Sequence, residues 1–130
     1  MRAAPQATAE ELLAAADNAR RDGRAADAAA LLEQLVERHD GDPRAPLAAF
    51  TLGRLQLGDL GRPGEAAATF ARARALAPGG PLAEDALARE VEARARAGDA
   101  GRARDLAREY EQLYPGGRRL GEVRAASGRE

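Results

Sequence analysis

Few residues in this chain have side chains suited to covalent chemistry. There is one histidine, His39, and the hydroxyls are confined to Thr8, Thr51, Thr69, Ser127, Tyr110 and Tyr114. Cysteine and lysine are absent. A nucleophile needs a base beside it, and none of these hydroxyls has a histidine or lysine nearby in sequence. One histidine and no thiolate fall short of a zinc ligand set. His39 closes a predicted helix, where free carbonyls favour a cation, so it reads as a surface cap. The carboxylate pairs Glu10–Glu11 and Glu84–Asp85 stand in first turns, where they suit the helix dipole rather than an acid–base dyad. The stretch 58–64 is glycine-rich like a phosphate loop, but it lacks the Lys-Ser/Thr and the preceding strand that such a loop needs. It reads as a turn. These residues predict no catalytic site, no metal and no cofactor, hence a non-enzymatic protein.

Charge points away from nucleic acid as well. Twenty cations face 21 anions, for a net charge of −1, with both signs mixed along the chain. Arginine pairs such as Arg20-Arg21, Arg72/Arg74, Arg94/Arg96 and Arg118-Arg119 could hold phosphate. Acidic residues one helical turn away, Asp17 before Arg21 and Glu92 before Arg96, read instead as intrahelical ion pairs.

The elements that must position these groups are helical. Alanine (34 residues) and arginine (20) dominate, isoleucine and tryptophan are missing, and aromatics make up 3%. Such a chain cannot easily build a sheet and favours helix. Its 130 residues suffice for one domain or a few small repeating units. No run of 18 apolar residues is present to span a membrane, and residues 1–9 do not read as a signal peptide.

Self-similarity is the strongest internal signal. A glycine is followed five residues later by an alanine at Gly23–Ala28, Gly61–Ala66 and Gly98–Ala103. Twelve residues past each alanine lie Asp40, Pro78 and Pro115, each followed at once by glycine. Successive units are offset by 38 and then 37 residues. The glycine suits a tight interhelical turn with positive φ. The alanine permits two helices to cross closely, and the Pro-Gly or Asp-Gly ends the second helix. Each unit is therefore a helix–turn–helix hairpin, with helices expected over 8–21, 25–39, 44–57, 63–76, 82–97 and 100–113. Thr8 and Glu11 form a capping box for the first. Ala28, Leu31, Leu32, Leu35 and Val36 draw the apolar stripe of the second.

These columns resemble the tetratricopeptide repeat over 8–117. The second unit matches best, with Leu52-Gly53, Gly61, Ala66, Phe70, Ala73 and Pro78. The resemblance implies an all-α fold of three hairpins (8–43, 44–81 and 82–117) in a short right-handed solenoid. A disordered lead is expected over 1–7, and a short cap or frayed tail over 118–130. The longer spacing is similar to that of bacterial cell-envelope proteins, namely the Tol–Pal accessory coordinator and the outer-membrane assembly lipoprotein, and of C-terminal repeats in FecR-type regulators. A periplasmic or envelope location is thus favoured over the cytoplasm. The resemblance also implies protein–protein interaction through a concave groove lined by the first helix of each hairpin. Projected onto this chain, the groove comprises Leu13, Asp17, Arg20, Leu47, Phe50, Arg54, Leu57, Glu92 and Arg96, with Phe50 as the apolar anchor. Leu106, Tyr110 and Leu113, near the array's end, are expected to be partly exposed and available for self-association. Glu90 falls where the family carries a large apolar residue.

Overall fold

The computed structural model describes residues 6–128. Most of the expected disordered lead therefore lies outside the described residues. Among the described residues the chain forms seven helices and no strand: α1 (Ala9–Arg21), α2 (Ala25–Arg38), α3 (Ala45–Leu57), α4 (Pro63–Leu76), α5 (Ala83–Arg96), α6 (Ala100–Leu113) and α7 (Leu120–Ala126). Each packs on its sequence neighbours, and α7 lies across both α5 and α6. This is the helical-hairpin solenoid expected of the repeats.

Local signals explain the boundaries. Thr8 caps α1: the Glu11 N–H donates to Thr8 Oγ1 at 3.1 Å, and the Thr8 N–H donates to Glu11 Oε1 at 2.9 Å. Hydrogen bonds to the Glu11 carboxylate from the Thr8 backbone N–H, and then from the Thr8 hydroxyl, hold its pKa below the ordinary value. The three turns within hairpins contain Gly23, Gly61 and Gly98, with φ of 75°, 59° and 85°. These left-handed conformations are the ones that favour glycine over any L-residue.

The core is a stack of small side chains between the helices. Ala16, Ala28, Leu32, Leu35, Ala45 and Ala49 are sealed at the first interface. Phe70 fills the middle of the array, against Leu57, Ala66, Ala67 and Ala93. Gly53 is small because of it: a Cβ built there would sit 2.7 Å from Phe70 Cε1. At the far end Leu87, Val91, Leu106, Tyr110 and Val123 form a third cluster.

The helix α7 is a shortened first helix of a fourth unit. Ala45, Ala83 and Leu120 open α3, α5 and α7 at offsets of 38 and 37 residues, the repeat spacing itself. In the same register Ala48, Ala86 and Val123 are all buried. Covering the end of a solenoid in this way shields from water the apolar face that the last hairpin would otherwise expose.

Candidate functional site

Two cavities are lined in part by odd-numbered helices. A polar cavity of about 240 Å³ lies among the end of α1, the start of α2 and the end of α3, with Arg20, Ala25, Thr51, Arg54 and Asp59 in its wall. Arg20 is held by Asp17 at 3.5 Å. Arg54 is exposed and has no ion-pair partner among the described residues. A second cavity of about 500 Å³ lies between α5 and α7, floored by Ala88, Ala95 and Ala126. Its charges are paired: Glu92 takes Arg96 at 2.6 Å and Arg89 at 3.4 Å, and Arg119 takes Glu122 at 3.1 Å. The hydrogen bonds that the Arg119 guanidinium donates to Asp85 and Glu122 raise its pKa above the ordinary value.

Four of the expected groove residues thus reach one of these cavities: Arg20, Arg54, Glu92 and Arg96. Asp17 stands beside them through its pair with Arg20. Phe50 is half-buried, with its ring edge-on to Phe70 at 5.6 Å between centroids and 66° between planes. Its outer part remains available. Leu13 is half-buried against the first core.

Three expectations of exposure are corrected by the packing. Leu57 is a core residue, because it closes the last turn of α3 over Phe70 and Ala93. Leu106 and Tyr110 are buried rather than partly exposed, because α7 covers them. Leu113 alone of that trio is open, at 58%. Leu47 is also open, at 49%, but lines a cavity at the ends of α2 and α4 rather than either of those two.

Buried polar clusters at the second hairpin junction and beneath α7 escape the sequence reading. Glu90, 1% exposed, receives Arg74 at 2.7 Å, and the same guanidinium reaches Glu109 at 3.3 Å. This triad ties α4, α5 and α6 together. Beneath α7, the Tyr110 hydroxyl donates to Glu84 Oε2 at 2.7 Å and accepts from the Arg119 N–H at 2.9 Å. Burial and the Glu84 carboxylate push the Tyr110 pKa up to about 12. The signal for the triad was Glu90 itself, a carboxylate in an apolar column. Nothing local pointed to Arg74, 16 residues away. His39 is a cap of an unforeseen kind: its Nε2 lies 3.0 Å from the Ala7 carbonyl, holding the entry to α1 against the end of α2.

The model of the tetratricopeptide repeat matches residues 13–81 and 57–118. This chain belongs to the tetratricopeptide repeat family. Repeats of this family generally mediate protein–protein interaction on a non-enzymatic scaffold, and this chain carries the hairpin array on which they do so. Among curated proteins, none matches the chain significantly. No helix among the described residues is long and apolar enough to cross a membrane.

Proposed function

We propose that the side formed by α1, α3, α5 and α7 is a concave groove that binds an extended or helical segment of a partner protein. The observation that carries this is the cavity joining Arg20 and Arg54. Two guanidiniums share one wall, and Arg54 has no ion-pair partner among the described residues. A carboxylate on the partner fits that place, since charge-assisted bonds to arginine are strong and directional. The outer edge of Phe50 supplies the apolar anchor, and Asp17 and the Glu92–Arg96 pair set the polarity of the rest. The repeat spacing supports placing the module in a bacterial envelope or FecR-type signalling protein.

The test is a cross-linked pull-down from the native organism with wild-type protein and an Arg54→Glu variant of equal helical circular dichroism. A partner retained by wild type and lost by the variant is the expected result, and that partner's location assigns the compartment. Equal retention by both proteins eliminates the groove. Recovery of the bait alone would replace it with self-assembly.

A further inference from the structure

The even-numbered helices contribute to a different surface. Two cavities open here, one between α2 and α4 and one just past the end of α2, between the start of α3 and the end of α4. One, of about 260 Å³, has Val36 and Leu52 in its wall beneath Glu33 and Glu37. The other, of about 710 Å³, is mostly apolar and opens where Leu47, Leu76 and Leu82 converge beside Asp40 and Asp42. The pair Asp40–Arg72, 3.7 Å apart, stands where they meet, for Asp40 lines the larger and Arg72 the smaller.

The charge of this seam is one-sided. Arg72 is the only cation among the residues lining either cavity, against four carboxylates. Asp40 is partnered by Arg72, and Asp42 by the Arg44 backbone N–H at 2.8 Å and its guanidinium. Glu33 and Glu37 have no ion pair among the described residues. They lie four residues apart, on one face of α2. Arg38 is turned away and bonds Gln34.

The next seam shows how such a junction is closed. Thirty-eight residues on, Val36 is replaced by Arg74 and Leu52 by Glu90. There the chain's own guanidinium runs between helices and satisfies Glu90 and Glu109. The first seam has an apolar floor, open volume and carboxylates, but no cation of its own in the place of Arg74.

We propose that the seam between α2 and α4 is a second docking surface, which takes a partner segment bearing an arginine or lysine beside a large apolar side chain. The apolar residue enters the mouth at Leu47 and Leu76, and the cation lies over Glu33 and Glu37. The surface is separate from the concave groove and does not depend on it. Desolvating the apolar contact supplies affinity, and the acidic ridge supplies selection by charge.

The probes are short fluorescent peptides in which one leucine is flanked by arginines, with counterparts carrying glutamate for arginine or serine for leucine. Binding is measured by anisotropy at low and physiological salt. The arginine–leucine peptide should bind at least about tenfold more tightly than either counterpart, and more weakly as salt rises. A Glu33→Arg/Glu37→Arg variant should lose that preference while keeping its helical circular dichroism and melting temperature. An Arg54→Glu variant, altered only in the groove, should keep it. The proposal is overturned if the three peptides bind alike, or if the α2 variant retains the preference. It is also overturned if only the groove variant loses it. Sedimentation of the peptide-free protein separates the remaining occupant: a dimer that dissociates in the α2 variant would assign the seam to a second copy and overturn the proposal of a basic partner.

Discussion

Gly53 shows how one atom can decide against a general trend. In a helix interior, glycine-to-alanine replacement is ordinarily worth up to about 1 kcal/mol of stability. Here the added methyl meets the Phe70 ring at 2.7 Å, inside a packed centre. Gly53→Ala is therefore expected to destabilise by about 1–3 kcal/mol. Adding Phe70→Leu should recover part of that loss in thermal unfolding. The repeat resemblance placed Leu52-Gly53 in the second unit, but only the packing shows which ring demands a glycine there. Tyr110 gives a second test at this scale. Its hydroxyl titrates near 12, above the ordinary value of 10. A pKa raised by folding contributes stability in full below the unfolded value, and that stability is lost as pH rises through the folded one. The protein should lose stability between about pH 10 and 12 in addition to any loss in a Tyr110→Phe variant. Ultraviolet absorbance should show a late-ionising tyrosine in the wild type that the variant lacks.

The hairpin junctions carry the next prediction. Arg74 keeps Glu109 and some water if Glu90 is removed, since its side chain is 24% exposed. Glu90, fully enclosed, keeps nothing comparable if Arg74 is removed. Arg74→Val should thus be the costlier single change, by about 3–5 kcal/mol, because it strands a buried carboxylate. Glu90→Leu should cost less. The double change, which copies Val36 and Leu52 from the first junction, should return close to wild-type stability in denaturant titrations. Helices were the most legible level of this molecule. Their periodic stripes, the capping box and the turn glycines leave little choice, and α4 and α6 begin and end where the pattern places them. The seventh helix was less legible because glycines at 117, 121 and 128 flank or interrupt a segment with just two large apolar residues, Leu120 and Val123. Its helicity comes from packing on α5 and α6 rather than from local preference. The site suffered from the same gap. Arg119 and Glu122 complete one cavity from α7, and Leu106 and Tyr110 vanish beneath it.

Across the whole array, stability is a sum of thin interfaces. Alanine permits close helix approach but buries little area per residue, so the end clusters matter out of proportion to their size. Val123→Asp, which places a charge under α7, should lower the melting temperature and expose Leu106 and Tyr110. Concentration-dependent sedimentation should then appear where the wild type shows less. The residues of the proposed groove could be listed from the sequence but not their exposure, because fractional burial depends on neighbours far away in sequence. Arg54 is exposed at a cavity wall, whereas Leu57 at the end of the same helix is packed against Phe70. The unlike junctions also bear on inheritance. Genes built of tandem copies tend to lose or gain a copy by misaligned recombination. Excising the middle unit in frame would bring α2 against α5, leaving Glu90 opposite Val36 with Arg74 gone. A product cut in this way would bury a carboxylate with no guanidinium to answer it, so the two seams are not interchangeable.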